Sequence, residues 1–311
     1  MEFAMVFPGQ GAQSVGMLAS LAEAHPQVEA TFREASDALD ADLWALVREG
    51  PEERLNQTEW TQPALLAAGV AVWRVWQERS GPEPRALAGH SLGEYSALVA
   101  AGALDFSEAV RLVQFRGRVM QEAVPEGEGA MAAVLGLDDE QVAEICAAAA
   151  QGEVVEPVNY NAPGQVVIAG AHTAVERAIA GAKEAGAKRA MPLPVSVPSH
   201  CRLMKPAAER LAERLAEVSF ATPRLPVIHN RDVARHEDAA GIRDVLVAQL
   251  YNPVRWVETV GALQDSGAEA LVEAGPGKVL AGLNRRIARR MPVHAVLDED
   301  SMNKALEAVQ A

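Results

Sequence analysis

The pattern of apolar and polar positions predicts strands that alternate with helices over most of the chain. Apolar runs at residues 4–7 and 86–88 are typical of short buried strands, and each ends at a turn that contains glycine. Further strands are predicted near Val227 and at residues 270–273. Between these runs, apolar residues recur three and four positions apart, which is the spacing of helices that cover a sheet. This alternation favours a parallel sheet in an α/β fold.

Three polar or proline positions indicate where helices begin. Asp105, with Glu108 three residues later, has the spacing of a capping box. Pro63 is expected in the first turn of a helix, because proline has no N–H group to donate. Asn252 followed by Pro253 is expected to begin another helix near the end of the chain.

The order of predicted elements changes in the middle of the chain. Between residues 127 and 197 it becomes strand, helix, strand, strand, helix, strand, with a helix opened by Asp138 and a turn at residues 162–164. This βαββαβ order is that of ferredoxin-like domains. We therefore predict a ferredoxin-like subdomain at residues 127–197, inserted into a discontinuous catalytic domain formed by residues 1–126 and 198–311.

The sequence around Ser91 is typical of a nucleophile elbow. Gly89-His90-Ser91-Leu92-Gly93 follows the strand at residues 86–88 and leads into an apolar helix, which gives the G-x-S-x-G pattern its required context. Glycine is needed on both sides because a side chain there would block the sharp turn. The main-chain amides at the start of the following helix favour an anion that forms on a substrate. Ser91 is therefore the predicted nucleophile.

His200 is the predicted base among the seven histidines. His90 is adjacent to Ser91, but neighbouring side chains diverge, so a structural role is favoured for it. His200 follows a strand, as Ser91 does, and precedes a helix that Pro206 prevents from starting much earlier. The positive end of that helix keeps the imidazole neutral. The aspartates between Ser91 and His200 all resemble helix caps, so a Ser–His dyad oriented by a main-chain carbonyl is favoured over a triad.

Composition and charge limit the classes of partner. The chain has 311 residues, of which 49% are apolar and 23% charged, as in ordinary globular proteins. Its net charge of −14 argues against nucleic acid or an anionic membrane as the main partner. The two cysteines, Cys146 and Cys201, and the absence of a basic N-terminal signal favour a cytoplasmic location. A packed, unreactive thiol is the favoured interpretation of Cys201.

Six motifs occur in order along the chain: PGQGAQ near the start, GHSLGEYSALVAAG around Ser91, RGRVMQEAVPEGEGAM from Arg116, NYNAPGQVVIAG from Asn159, VSVPSHC around His200 and EAGPGKVLAGLNRRI from Glu273. Together they resemble the malonyl-CoA:acyl-carrier-protein transacylases of bacterial fatty-acid synthesis. The resemblance implies an α/β-hydrolase-like core with a ferredoxin-like subdomain, in agreement with the insertion inferred from the element order.

The resemblance also implies a role for each matched residue. Ser91 corresponds to the acyl-carrying nucleophile, His200 to its base and Arg116 to the arginine that binds the malonyl carboxylate. The main-chain amides of Gln10 and Leu92 correspond to the oxyanion hole, and Gln249 to the residue whose main chain orients the histidine. The substrates implied are malonyl-CoA and a holo acyl carrier protein. No metal or other cofactor is expected, and we expect a monomer.

Two alternatives remain open from the sequence. A serine hydrolase or thioesterase uses the same elbow, although the missing acid and the arginine on the next helix argue against it. An acyltransferase of a polyketide pathway would differ in its acyl group. Leu92 fits the malonyl-type GHSLGE pattern, whereas Ser199 departs from the phenylalanine of malonyl-selecting polyketide domains and suits the bacterial fatty-acid enzymes.

The carrier proteins of this family are acidic, so docking on an acidic enzyme requires a local basic patch. Arginines at positions i and i+4 are expected to form a positive face on a helix near the C-terminus, with a second basic group as the next candidate. The first group is Arg285, Arg286, Arg289 and Arg290, and the second is Lys188, Arg189 and Arg202.

Overall fold

The computed structural model describes residues 1–195 and 197–310 and contains two sheets with helices packed around them. The strands are β1 (Phe3–Phe7), β2 (Ala86–Gly89), β3 (Gly129–Leu135), β4 (Val155–Ala162), β5 (Gln165–Ala171), β6 (Arg189–Pro192), β7 (Val227–Ile228), β8 (Ala270–Ala274) and β9 (Val293–Val296). The helices before the second sheet are α1 (Ala19–Ala24), α2 (Pro26–Leu39), α3 (Leu43–Glu49), α4 (Glu52–Leu55), α5 (Thr58–Glu78), α6 (Gly93–Ala100) and α7 (Phe106–Glu122). The later helices are α8 (Asp139–Ala150), α9 (His172–Glu184), α10 (Lys205–Ala216), α11 (Ala239–Gln249), α12 (Trp256–Asp265), α13 (Val279–Ile287) and α14 (Glu299–Gln310), with a 3-10 turn at Arg202–Met204 before α10.

The larger sheet has the strand order β7-β2-β1-β8-β9, and every pair of neighbours is parallel. β1 lies at its centre and is buried over its whole length, as expected for an apolar run in a parallel sheet. Past the strand ends, the His90 N–H donates to Phe7 O at 2.9 Å, which brings the turn after β2 beside the loop after β1. The predicted parallel α/β core is confirmed, and its carboxyl edge is where ligands bind in such sheets.

The smaller sheet is antiparallel, with the strand order β4-β5-β3-β6. Apolar residues of α8 and α9 pack against β3, β4 and β5 in a separate core. This is the ferredoxin-like arrangement predicted from the element order. The subdomain limits at residues 127 and 197 stay a prediction.

One contact between the smaller sheet and the rest of the chain makes a helix begin later than predicted. The Val254 N–H donates to Val158 O at 2.9 Å, and the Tyr160 N–H donates to Val254 O at 3.0 Å, so this residue continues the ladder of β4. A residue bonded in this way is extended and is not free to enter a helix. The start predicted at Asn252-Pro253 is therefore wrong, and α12 begins at Trp256.

α5 is the central helix of the larger core, and its residues are buried on almost every side. The placement of Pro63 in a first turn is wrong, because α5 begins at Thr58 and Pro63 is its sixth residue. Packing around α5 outweighs the one main-chain hydrogen bond that proline cannot make.

Asp105 caps α7 as predicted, since its carboxylate accepts from Glu108 N at 2.9 Å. None of the helices within residues 1–195 and 197–310 combines the length and apolar content needed to span a bilayer.

Candidate active site

Ser91 lies in the sharp turn between β2 and α6, and its φ of 50° is in the left-handed region. The neighbouring glycines are required by close contacts. A Cβ atom on Gly89 would lie 1.8 Å from the carbonyl carbon of Gly93, and one on Gly93 would lie 2.1 Å from Phe7 O. Any side chain at either position would push the turn away from the strand ends. The predicted strand–turn–helix geometry is therefore present, with Ser91 at its tip.

The side chain of Ser91 faces His200. Ser91 Oγ and His200 Nε2 are 2.8 Å apart, and His200 Nδ1 is 2.7 Å from the main-chain oxygen of Gln249. Because a carbonyl oxygen only accepts, Nδ1 carries the proton and Nε2 is free to accept one from Ser91. The main-chain carbonyl of Gln249 occupies the place that a carboxylate takes in a triad.

His200 is held neutral by its surroundings. Burial lowers its pKa, the nearby positive charge of Arg116 lowers it further, and the hydrogen bond to Gln249 acts in the opposite direction. The pKa falls from the ordinary 6.5 to about 3. A neutral imidazole beside a serine hydroxyl is the form needed to take its proton.

Arg116 reaches the same point from α7 and is only 1% exposed. Its Nη1 donates to Gln62 Oε1 at 2.8 Å, and its Nη2 donates to Gln249 Oε1 at 2.9 Å and lies 3.3 Å from Ser91 Oγ. Its Nε is buried without a hydrogen-bond partner, and no carboxylate forms an ion pair with it in the described part of the chain. A buried guanidinium without an ion-pair partner among the described residues has the chemistry that recognition of a small carboxylate requires.

A cavity of about 190 Å³ opens onto these groups. Gln10 and Leu92 line it beside Ser91. Neither of their main-chain N–H groups donates to a protein acceptor within residues 1–195 and 197–310, so both are available to an oxygen atom of a ligand. The remaining wall is largely apolar and comes from the smaller sheet, the segment that follows β6, α7 and α13, with Met120, Met131, Val167, Leu193, Val197 and Leu283 among its residues.

Several polar residues at the site were not predicted from the sequence. Asn230 binds the Ser91 turn, Glu94 binds Asn230, and Gln62 binds Arg116. Glu94 could have been predicted from the sequence, because it is an acidic residue in the mostly apolar helix after the elbow. Gln62 and Asn230 could not have been predicted, since a single polar side chain in a helix or after a strand is common.

Three further predictions concern residues around this site. His90 Nε2 lies 2.8 Å from Asn161 Oδ1, whereas the hydroxyl of Ser91 is bonded to His200, which is consistent with the structural role preferred for His90. Cys201 is buried, donates to Pro198 O at 3.1 Å and has a pKa that burial raises to about 12, so it is not a reactive thiol. The prediction that four arginines form one basic helix face is wrong, because α13 ends at Ile287 and Arg289 and Arg290 lie beyond it.

The family model described as "Acyl transferase domain" matches residues 4–303. The malonyl CoA-acyl carrier protein transacylase of Escherichia coli strain K12 is 60% identical over 306 residues, which cover 98% of this chain and 99% of that protein. The corresponding protein of Bacillus subtilis strain 168 is 46% identical over 310 residues, covering 99% of this chain and 98% of that protein. The chain belongs to the malonyl CoA-acyl carrier protein transacylase family.

Solved structures of similar proteins have the same fold throughout their length. The transacylase of Coxiella burnetii is 52% identical and superposes with a TM-score of 0.99, covering 100% of this chain and 98% of that one. A malonyl-transacylase in complex with its type II PKS acyl-carrier protein is 60% identical, with a TM-score of 0.98 and coverage of 99% of this chain and 100% of that one. The α/β core with its ferredoxin-like insertion is thus the fold of this family.

Proposed function

We propose that this acyltransferase moves a malonyl group from malonyl-CoA to the phosphopantetheine thiol of a holo acyl carrier protein, through a malonyl ester on Ser91. Bacterial fatty-acid synthesis is the proposed pathway. The observation that carries this proposal is the buried guanidinium of Arg116, 3.3 Å from Ser91 Oγ and without an ion-pair partner among the described residues. A malonyl thioester has a carboxylate two bonds from the carbonyl carbon, which is the distance that such an arrangement serves.

In the first half-reaction, Ser91 Oγ attacks the thioester carbonyl carbon and His200 Nε2 takes the serine proton. The negative charge that develops on the carbonyl oxygen is bound by the main-chain N–H groups of Gln10 and Leu92. One donor of this kind contributes roughly 10²–10³ in rate. The tetrahedral intermediate collapses with cleavage of the C–S bond. The thiolate of coenzyme A takes the proton from His200 and leaves, and the malonyl ester stays on Ser91.

The second half-reaction runs the same steps in reverse with another thiol. The phosphopantetheine thiol gives its proton to His200, and its sulfur attacks the ester carbonyl carbon. Ser91 then leaves as the alcohol after it recovers the proton. One thioester replaces another, so the overall free-energy change is small, and all proton transfers use His200.

Malonyl is favoured over an uncharged acyl group for an electrostatic reason. An acetyl group would leave the Arg116 cation buried against a methyl group, whereas a malonyl carboxylate would give it two parallel hydrogen bonds. A hydrolase is disfavoured because the Nδ1 partner of His200 is a main-chain carbonyl and not a carboxylate, and because water competes poorly in a cavity with apolar walls. A polyketide acyltransferase that takes a branched malonyl derivative would need room for the branch at the carbon between the two carbonyl groups.

We propose a docking surface for the carrier protein at the junction of α13 and the smaller sheet. Lys188, Arg189 and Arg286 line one surface recess there, and Arg285 is exposed beside them. Arg286 also donates to Gln165 Oε1 at 2.7 Å, which fixes its position. A basic cluster on a chain with a net charge of −14 is suited to an acidic partner. Arg202 is less suited, because it is paired with Glu156.

Both cysteines are free, which agrees with the cytoplasm as the proposed location.

Intact mass after mixing with malonyl-CoA tests the proposed intermediate. We expect the wild-type protein to gain one malonyl group and to lose it when holo acyl carrier protein is added, as the carrier gains the same mass. Ser91→Ala should gain none, while Cys201→Ser should behave as wild type. Free malonate released at the rate of transfer, with no trapped adduct, would support the hydrolase instead.

A further inference from the structure

Glu94 is a completely buried carboxylate in the first turn of α6, three residues after Ser91. Its Oε1 is 2.7 Å from His229 Nδ1, and its Oε2 accepts from Asn230 N at 2.9 Å and from Gln249 Nε2 at 3.0 Å. None of these bonds is to Ser91, His200 or Arg116. Two of its partners, Asn230 and Gln249, however, form hydrogen bonds to groups that take part in the proposed reaction.

Asn230 fixes the strained turn that carries the nucleophile. Its Oδ1 accepts from Ser91 N at 2.7 Å, and its Nδ2 donates to Gly89 O at 2.7 Å. β7, which pairs with β2, ends two residues earlier at Ile228, so this side-chain amide extends the hydrogen bonding between the two strands around the turn. Asn230 therefore supports the left-handed conformation of Ser91, which a non-glycine residue adopts only when its surroundings impose it.

Gln249 binds the other reacting groups. Its main-chain oxygen accepts from His200 Nδ1, its Oε1 accepts from Arg116 Nη2, and its Nε2 donates to Ser91 O at 3.1 Å as well as to Glu94. The bond to Glu94 also fixes which end of the amide faces Arg116. A carboxylate only accepts, so Nε2 must face Glu94, and Oε1 is left to face the guanidinium.

Glu94 also supplies negative charge near Arg116 without occupying its hydrogen-bonding fork. Burial lowers the pKa of Arg116, and its neighbours Tyr95 and Glu94 oppose this shift. A direct ion pair would satisfy the cation better, but it would fill the position where the acyl carboxylate is proposed to bind. A carboxylate one residue removed stabilises the charge and leaves the site open.

We propose that Glu94 is a positioning residue, which acts through Asn230 and Gln249 to hold the Ser91 turn, the His200 tautomer and the Arg116 fork in one arrangement. This inference rests on the proposed function for the roles of those three groups. It also explains how a carboxylate organises the dyad although the Nδ1 partner of His200 is a main-chain carbonyl, because Glu94 acts on the histidine through Gln249.

The test is the rate constant for malonyl transfer to Ser91 in a single turnover, followed by intact mass at saturating malonyl-CoA. Glu94→Gln keeps the size of the side chain but removes the charge and places an amide group against donors. We expect this rate constant to fall roughly 10- to 100-fold, the effect of leaving a buried donor unsatisfied. Labelling of Ser91 by an uncharged sulfonyl fluoride, which does not use Arg116, should slow as well. Leu21→Ala, a buried core substitution in α1, is the stability control and should leave both rates per folded molecule unchanged.

A double-variant cycle tests whether Glu94 acts through Gln249. Gln249→Met removes the side-chain amide and keeps the main-chain carbonyl, so adding Glu94→Gln to it should cost clearly less than Glu94→Gln alone. If the rate losses of Glu94→Gln and Gln249→Met multiply in the double variant, the inference is overturned. Wild-type rates in a folded Glu94→Gln would overturn it as well. Should Glu94→Gln fail to fold, His229→Phe removes one donor to Glu94 and should slow both rates in the same way, and unchanged rates there would overturn it too. A wild-type protein that forms no malonyl adduct would instead contradict the proposed function.

Discussion

His200 is expected to act as a base over a wider pH range than an exposed histidine. Its folded pKa is about 3, because burial and the charge of Arg116 disfavour the imidazolium. The rate of Ser91 labelling by an uncharged sulfonyl fluoride should therefore stay nearly constant from pH 8 to pH 5, where an ordinary imidazole with a pKa of about 6.5 is mostly protonated. Arg116→Ala should move the fall in rate toward higher pH, since it removes one cause of the low pKa. A wild-type midpoint near pH 6.5 would contradict this account of the base.

The same depressed pKa affects stability in a defined direction. The unfolded chain binds a proton at this histidine below about pH 6.5, whereas the folded protein does not until about pH 3. The contribution of His200 to stability is thus present above pH 6.5 and is lost as the pH falls through this window.

Local sequence was sufficient to single out Ser91 and His200, the proposed reacting pair, but not the residues that hold them in place. Ser91 lies in a recognisable turn, and His200 follows a strand, so both could be predicted from their neighbours. Gln249 donates to Ser91 O from 158 residues away, and Asn230 accepts from Ser91 N from 139 residues away. No periodicity or spacing connects positions so far apart. The role of Gln249 was expected only from the family resemblance, and that of Asn230 was missed.

At the scale of elements, the contact between α5 and α7 fixes the position of Arg116. Gly117 allows this contact, because a Cβ atom there would lie 2.6 Å from Thr58 O. Gly117→Ala should push α7 outward, lower the free energy of unfolding by about 1–3 kcal/mol and reduce malonyl transfer more than it affects labelling of Ser91. Thermal unfolding and kcat/KM measure the two effects.

Gly261→Ala in α12 is the matched control. Nothing lies within 4 Å of a Cβ atom at that position, so the substitution should stabilise the helix by about 0.5–1 kcal/mol and leave transfer unchanged. Similar losses in both variants would mean that the packing of α7 does not control the position of Arg116.

The order of elements could be predicted because it depends on local periodicity, whereas two helix starts could not. α5 begins before Pro63 because its burial on nearly all sides outweighs a local preference. α12 begins after Pro253 because Val254 pairs with β4, which is about a hundred residues earlier in the chain. Both errors arise where tertiary contacts decide between local alternatives.

At the scale of the whole molecule, the cavity lies between the turns after β1 and β2 and the smaller sheet, and the proposed docking surface lies where turns of the smaller sheet meet α13. The double variant Arg189→Glu, Arg286→Glu should raise KM for the carrier protein about three- to tenfold at low salt, with a smaller effect at high salt. KM for malonyl-CoA should change less when it is measured by hydrolysis or by malonyl transfer to a small thiol. The double variant Arg33→Glu, Arg48→Glu, at exposed positions on α2 and α3, changes the net charge by the same amount and is the control. An equal rise in both variants, or one that salt does not reduce, would exclude this surface.

Arg116 is the residue on which the proposed acyl selectivity depends, and kcat/KM for malonyl-CoA and acetyl-CoA in wild type and Arg116→Ala tests it most directly. Removing one member of a buried charge pair costs about 3–5 kcal/mol, which is roughly 10²–10³ or more in kcat/KM at 1.4 kcal/mol per decade. Malonyl transfer should fall by that factor in Arg116→Ala, and acetyl transfer should be kept or rise, because no buried cation then faces the methyl group. Arg116→Lys should recover only part of the malonyl activity, since lysine lacks the planar fork. Equal losses for the two acyl groups would show that Arg116 supports the fold or binds coenzyme A, and would contradict the account.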